Sequence, residues 1–217
     1  MTELSFSQKF FICAVNDQGH ISNLHSSTWT CLILSALIDL EKQNCIAITD
    51  PHITITSELP QQLGYLAPAV ERLMEQSPIS LGRFVGNYVT GLTETARQEL
   101  FESIGRSLVA AQVADATNNV VPTPKVGFIP HPDQRRTIIE TVLPSKPDDE
   151  QIIFASLVHH GKLAKNYFSR SEQKCLKETL AQYHHYSANE ELTTTLAHID
   201  SVMNVPVIAS LIASTGN

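Results

Sequence analysis

The residues of this chain best suited to metal or acid–base chemistry are its nine histidines. The densest are two adjacent pairs, His159-His160 and His184-His185. Neighbouring residues on a helix point about 100° apart, so neither pair can chelate one ion by itself. Zinc-binding helices space two histidines at i and i+4, and no such partner stands beside either pair. We therefore expect solvated histidines at helix ends, where imidazolium is favoured, and neither a metal nor a cofactor.

The chain also lacks the patterns of nucleophilic catalysis. It contains no GxSxG motif, and no cysteine has a histidine placed in a nearby loop to activate it. The four cysteines (Cys13, Cys31, Cys45 and Cys175) show no CxxC spacing, and three lie in apolar segments. Buried, reduced thiols are typical of that pattern. We predict that the protein is not an enzyme.

Charge and composition narrow the possible partners. The formal net charge is −7 with 17% charged residues, and this balance disfavours nucleic-acid binding, which needs a basic face. A winged-helix module over residues 97–130 is an alternative, but its presumed recognition helix carries few basic residues. The opening MTELSFSQKF has no signal-peptide pattern, which predicts a cytoplasmic protein.

One segment of the sequence is expected to form the centre of the fold. Between residues 27 and 43, apolar side chains point in every direction around a helical wheel. The segment is too short, and too polar at its ends, for a bilayer span of roughly 20 apolar residues. We predict a buried central helix.

The flanking segments predict further helices and one hairpin. Ser5 and Gln8 form a capping-box pattern before a first helix, which the turn at Asn16–Gly19 ends. Alternating residues at 45–49 and 53–56 predict a β-hairpin, and the Pro-rich segment 120–132 predicts a loose hairpin or projecting loop. Helical stripes follow at 66–74, 81–88, 101–111, 135–143 and from 149 to the C-terminus, including one after Pro206. The sequence thus predicts a single, mainly α domain over residues 1–217, with a small β-hairpin and one projecting loop.

The order of these elements resembles the Golgi phosphoprotein 3 family. Its members open with a leucine-rich helix that ends in an acidic-Gly turn, followed by an apolar helix of the form ALIELALxGRI and a strand pair. The corresponding segments here are residues 4–19, ALIDLEKQNCI (36–46), IAITDPHITIT (46–56), LVAAQVA (108–114), GFIPHP (127–132) and QIIFASLVHHGKL (151–163). The resemblance covers nearly the whole chain. It rests on the order of these motifs, since no single one of them is specific to the family.

The resemblance implies a helical domain without enzymatic activity that binds phosphatidylinositol 4-phosphate and short cytosolic tails of membrane enzymes. The family's pocket tryptophan falls near Leu24 and its central-helix arginine falls on Ile33. Its two arginines on the long helix fall near Gln98 and Phe101. None of the four family residues stands at these positions, so the headgroup site of this chain would need other side chains.

Four nearby residues are candidates for headgroup binding: Arg97, Arg106, His25 and Trp29. A membrane-inserting loop is predicted from the apolar residues Val120, Val121, Phe128 and Ile129, whose alternative role is to cover an edge of the core. We therefore expect a non-enzymatic peripheral-membrane adaptor that binds an anionic phospholipid headgroup and short protein segments. The alternative is a soluble interaction or scaffold protein of the same fold that has lost the lipid pocket. Whether the chain forms a homo-oligomer is left open.

Overall fold

The predicted central helix, α2 (Ser26–Lys42), is present, and every residue from Thr28 to Leu40 is buried. The computed structural model describes residues 3–22, 24–49, 52–90, 94–119, 125–144, 146–186 and 188–204. The other helices are α1 (Phe6–Ala14), α3 (Ala67–Gln76), α4 (Leu81–Thr90), α5 (Glu94–Ala110), α6 (Pro132–Glu140), α7 (Asp149–His160), α8 (Ala164–Tyr167), α9 (Arg170–Tyr186) and α10 (Glu190–Met203). A 3-10 helix over Gln61–Leu66 precedes α3, and the strands are β1 (Ile46–Thr49), β2 (His52–Ile55), β3 (Ile79–Ser80), β4 (Ala114–Asn119) and β5 (Lys125–Pro130).

In the described part of the chain, helices α1, α4, α7 and α10 pack most extensively against α2. A helix apolar on all sides needs such a complete enclosure, because any side left in water would expose large aliphatic residues. The prediction of a mainly α fold built around this helix is confirmed. In the part of the chain that the structure describes, none of the helices combines the length and the apolar character that a membrane crossing requires.

Helix α1 begins and ends where its sequence predicts. The Ser5 hydroxyl accepts from the backbone N–H of Gln8, and the Gln8 side chain accepts from the backbone N–H of Ser5. After the helix, Gly19 adopts φ +77°, a left-handed conformation that glycine tolerates well. The helix is buried on more sides than an amphipathic pattern implies, since Phe10, Phe11, Ile12 and Cys13 are all in the core.

The first sheet has the order β1-β2-β3 with antiparallel pairing. Its β1–β2 hairpin was predicted, whereas β3 is too short to have a sequence pattern of its own. β3 pairs with only His52 and Ile53 of β2. On the opposite edge, the Glu41 carboxylate accepts the Ile48 N–H at 3.2 Å and satisfies one donor of the β1 backbone.

The second sheet is the antiparallel ribbon of β4 and β5. It corresponds to the predicted loose hairpin, but its first strand starts at Ala114 and runs through the polar residues 115–119, which precede the Pro-rich segment. The N–H of Phe128 donates to the Gly19 carbonyl at 2.9 Å, which ties β5 to the turn after α1. Val120 and Val121 lie outside the described residues, as does the helix predicted after Pro206.

Two of the C-terminal helices, α7 and α9, start at side-chain caps. Asp148 and Gln151 form a capping box at α7, and Glu172 of α9 accepts from the backbone and hydroxyl of Ser169. The first turn of α7 also carries Asp149 and Glu150, and negative charge at a helix N-terminus is favoured by the helix dipole.

Removal of one buried hydroxyl group in α7 is expected to stabilise the protein. Ser156 is fully buried, and its Oγ has no hydrogen-bond partner among the described residues. We expect Ser156→Ala to raise the free energy of unfolding by about 1 kcal/mol, because it removes an unsatisfied polar group and adds a better helix former. The matched control is Ser35→Ala in α2, equally buried, whose hydroxyl donates to the Leu32 carbonyl at 2.7 Å. Urea denaturation of both variants measures this, and a loss of stability in Ser156→Ala would contradict the prediction.

Candidate functional site

A pocket of about 240 Å³ opens between α5 and the segment that leads into α2. Trp29 forms one wall and is itself only 4% exposed. Its indole N–H donates to the Ser22 carbonyl at 3.2 Å, which fixes the ring against the preceding segment. The lining residues are His20, Ile21, Ser22, Leu24, Trp29, Gln98 and Phe101. We call this the Trp29 pocket.

Aromatic side chains hold the floor of the Trp29 pocket. The ring centroid of Phe101 lies 5.9 Å from that of Trp29 and 4.8 Å from that of Phe11, while His20 stacks on Phe101 at 6.3 Å. Because Phe11 and Phe101 are buried in the core, the floor is continuous with it. The pocket is therefore preformed and rigid on its inner side.

Arg97 supplies the positive charge at this site. Its guanidinium carbon lies 5.1 Å from the centroid of the Trp29 ring, within cation–π distance. The stack joins two residues far apart in sequence and holds the charge beside the pocket. Gln98, the next residue, lines the pocket and donates its side-chain amide to Glu102 at 3.1 Å.

Arg106 lies elsewhere. It follows Arg97 by nine residues on the same helix, which corresponds to about 180° around the axis. Its side chain is 69% exposed and its Nη2 lies 2.7 Å from Oε2 of Glu102. The structure thus brings Arg97 and Trp29 together but does not place Arg106 beside them.

His25 is close to the pocket without lining it. It is exposed and occupies the position just before α2, and its side chain makes no capping hydrogen bond. It lines a neighbouring cavity of about 250 Å³ together with Lys162 and Lys165. Leu24 lies between the two cavities and is 91% exposed.

The residues on or near which the resemblance places the family's headgroup-binding side chains lie in two environments. Leu24, Gln98 and Phe101 all line the Trp29 pocket, whereas Ile33 is 1% exposed inside the core. His20 and Ser22 also line the pocket, although no motif in the sequence marks them. Only the path of the chain from Asn16 to Ser22 brings them there.

The candidate membrane-inserting residues separate into two environments. Phe128 is 0% exposed and packs edge-on against Phe101 and Phe11 at 5.7 and 6.1 Å. Ile129, its neighbour on the other face of β5, is 40% exposed. Of the two that the structure describes, only Ile129 faces outward.

A buried carboxylate cluster under α1 also combines groups used in catalysis. Asp39 accepts from the backbone N–H groups of Phe6 and Ser7 at 2.8 and 2.9 Å, and from the hydroxyls of Ser5 and Ser7 at 2.7 and 2.5 Å. Tyr65 shares a 2.7 Å hydrogen bond with Ser5. Burial raises the pKa of the Asp39 carboxyl, and the hydrogen bonds from Ser7, Ser5 and Phe6 oppose that shift. The donors all belong to the start of α1, so this cluster fastens α1 to α2.

The histidines and cysteines form no metal centre in the described ranges, where no group of three or more His, Cys, Asp or Glu side chains is placed to hold an ion. Nε2 of His160 lies 3.0 Å from the Asp200 carboxylate, and burial together with His160 lowers the pKa of His159. Burial raises the pKa of Cys13 to about 12 and also raises that of Cys31, which keeps both thiols protonated. Cys175 is exposed.

Comparison of the sequence with known proteins gives no match, either to a model of a protein family or to a curated protein.

Proposed function

We propose that this protein is a non-enzymatic adaptor at a membrane surface that binds an anionic phospholipid headgroup, of the phosphatidylinositol 4-phosphate kind, in the Trp29 pocket. The observation that carries the proposal is that Leu24, Gln98 and Phe101 line one pocket. The resemblance places three of the family's four headgroup-binding side chains near these residues. Short segments of partner proteins are the second ligand of such an adaptor.

The chemistry of the pocket suits one phosphate. Arg97 replaces the family's arginines from the adjacent position on α5, and its stack on Trp29 orders the side chain before a ligand arrives. A charge-assisted hydrogen bond to phosphate contributes about 1.5–3 kcal/mol. With one arginine instead of three, we expect weaker binding than a complete arginine clamp would give.

Leu24 supplies a second contact with the membrane. It is 91% exposed at the mouth of the pocket, where a headgroup bound inside would bring it against the lipid interface. Full burial of a leucine side chain contributes about 1.5–3 kcal/mol, and two weak signals together can give stable attachment. The net charge of −7 opposes non-specific attachment to anionic lipid, so binding should depend on these two contacts.

Two arginines on one helix provide a matched test. We expect Arg97→Ala to weaken binding to phosphatidylcholine vesicles containing phosphatidylinositol 4-phosphate by about 10- to 100-fold, the equivalent of the lost charge-assisted contact. Arg106→Ala should bind like the wild type, because Arg106 lies on the opposite side of α5 and pairs with Glu102. Vesicle co-sedimentation measures both, and vesicles with an equal charge of phosphatidylserine separate headgroup recognition from charge alone.

Equal and negligible sedimentation with and without phosphatidylinositol 4-phosphate would contradict the proposal that the protein binds this lipid. Equal losses of vesicle binding in the two arginine variants would show that the headgroup does not bind in the Trp29 pocket.

The second candidate function is a soluble interaction or scaffold protein that has kept the fold without the lipid pocket. The burial of Ile33 supports this candidate. Ile33 stands where the resembling family has an arginine, and its buried apolar side chain cannot bind a headgroup in place of that arginine. Negligible vesicle binding, together with a stable complex with a partner protein formed without membranes, would favour this candidate.

A further inference from the structure

His20 is the one titratable side chain among the residues that line the Trp29 pocket in the described part of the chain. The other lining side chains are apolar or carry an uncharged hydroxyl, amide or indole group. A phosphate bound in this pocket would therefore meet one group whose charge changes with pH. An imidazole ordinarily becomes positively charged below about pH 6.5, close to the second pKa of a phosphate monoester at about 6.

The backbone fixes the position of His20 at the pocket. Its N–H donates to Oδ1 of Asn16 at 3.1 Å, and its carbonyl accepts from the N–H of Asn16 at 2.9 Å. The neighbouring Gly19 carbonyl accepts from the N–H of Phe128, which ties the same turn to β5. The histidine is thus in place before a ligand arrives, and ordering it adds little to the cost of binding.

The imidazole ring contacts both α5 and β5. It stacks on Phe101 with ring centroids 6.3 Å apart and planes 22° from parallel. On the β5 side, a Cβ at Gly127 would lie 3.0 Å from Nε2 of His20, so the absence of a side chain at Gly127 leaves room for the ring. His20 is half-buried, and part of it is therefore open to solvent and to a ligand.

The aromatic floor of the pocket joins the two groups that can carry positive charge. Trp29 and His20 both pack on Phe101, with ring centroids 5.9 and 6.3 Å from it, and Arg97 lies over the Trp29 ring. Arg97 alone gives the site one positive charge. An imidazolium at His20 would supply a second one for a phosphate that carries up to two negative charges.

The charged groups on the elements around His20 do not account for such a titration. In the described residues, each carboxylate on these elements has a cationic partner within 4.0 Å: Glu99 with Arg72 and Glu102 with Arg106 on α5, Asp17 with Arg135 beside the turn, and Asp115 with His131 on the β4–β5 ribbon. The other nearby histidine, His25, lines the neighbouring cavity. The group that changes the charge of the pocket itself near neutral pH is therefore His20.

We propose that His20 is a second cationic ligand of the phosphate in the Trp29 pocket, and that it makes headgroup binding depend on pH. The inference rests on the proposed function, because it concerns the same pocket and the same lipid. A protonated imidazole donates from both ring nitrogens, so a donor is present whichever nitrogen faces the phosphate. The pocket then has two positive charges in mild acid and one in mild alkali. Bound phosphate in turn favours the protonated imidazole, so binding takes up a proton.

Vesicle co-sedimentation at a series of pH values tests the proposal, with phosphatidylcholine vesicles that contain phosphatidylinositol 4-phosphate. The second ionisation of the lipid phosphate, near pH 6, affects every variant alike. We expect the wild type to bind about 10-fold more tightly than His20→Gln at about pH 6, and within about twofold of it at about pH 8. His20→Phe keeps an aromatic ring on Phe101 without a charge, so it should behave like His20→Gln.

Two further variants separate charge from packing. His20→Lys stays charged throughout this pH range, so it should bind at about pH 8 as tightly as the wild type binds at about pH 6. The matched control is His52→Gln, an exposed histidine on β2 outside the pocket, which should keep the pH dependence of the wild type.

A purely structural role for His20 gives a different result. His20→Gln and His20→Phe would then weaken binding by the same factor at every pH, and this outcome overturns the proposal. Equal binding by the wild type and both variants at about pH 6 overturns it as well.

The proposed function and the role of His20 can be distinguished when one fails. Absence of binding that depends on phosphatidylinositol 4-phosphate, at any pH, contradicts both. Binding that Arg97→Ala weakens, but whose pH profile is the same in the wild type and in His20→Gln, supports the proposed function and overturns the role of His20.

Discussion

Asp39→Ala is expected to lower the free energy of unfolding by about 3–5 kcal/mol, a large part of the total for a domain of this kind. The substitution leaves the N–H groups of Phe6 and Ser7 buried without an acceptor, and an unsatisfied buried donor costs about 1–3 kcal/mol. The two serine hydroxyls can partly recover, because they lie 3.1 Å apart and can bond to each other. In the described residues, the N–H groups of Phe6 and Ser7 have Asp39 as their hydrogen-bond acceptor.

Urea denaturation measures this effect, with Tyr65→Phe as the control in the same cluster. That variant removes only the hydroxyl that bonds to Ser5, so it should cost about 1 kcal/mol. A loss in Asp39→Ala no larger than in Tyr65→Phe would show that the carboxylate does not hold α1 in place.

The same cluster predicts a pH dependence with a defined sign. Burial raises the pKa of Asp39 in the folded protein above its value in the unfolded chain, so the folded state binds this proton more tightly. The stability of the wild type relative to Asp39→Asn is therefore greatest in acid, and it falls as the pH rises through the folded-state pKa. Chemical denaturation at a series of pH values compares the two proteins. A difference that grows with pH would mean that the hydrogen bonds outweigh burial and lower the pKa.

The sequence predicted the parts of the fold that depend on local pattern. The all-round apolar character of α2, the capping box at Ser5, the left-handed Gly19 and the β1–β2 hairpin each have a cause within a few residues. Strand β4 could not be predicted in this way. Its sequence from Asp115 to Asn119 is polar, and it is a strand because it pairs with β5, which Phe128 anchors in the core.

The Trp29 pocket could be predicted only in part, because it also depends on contacts between segments that are distant in the sequence. Trp29 and Arg97 were candidates because of their residue types, but they meet only through the packing of α5 beside α2. Arg106 has the same residue type as Arg97, but it lies nine residues further along α5 and on the opposite side of the helix, so the surroundings of the two side chains differ.

Gly105→Ala is expected to lower the free energy of unfolding by about 2–3 kcal/mol, although alanine is the better helix former by about 1 kcal/mol. A Cβ at this position of α5 would lie 2.3 Å from Cδ2 of Phe128. The ring cannot move away, because it packs against Phe11 and Phe101 and its backbone N–H is bonded to Gly19. The strain must therefore displace either α5 or β5.

The control is the same substitution where space is open. Gly82 lies in α4, and a Cβ there would have no neighbour within 4 Å, so Gly82→Ala should stabilise the protein by about 0.5–1 kcal/mol. Thermal and urea denaturation of the two variants should thus give opposite signs. Equal stabilisation in both would mean that Phe128 is free to rearrange, and that the contact between α5 and β5, which supports Phe101 beneath the Trp29 pocket, is looser than its packing indicates. Opposite signs would establish Gly105 as the position that lets α5 and β5 approach closely enough to form the floor of that pocket.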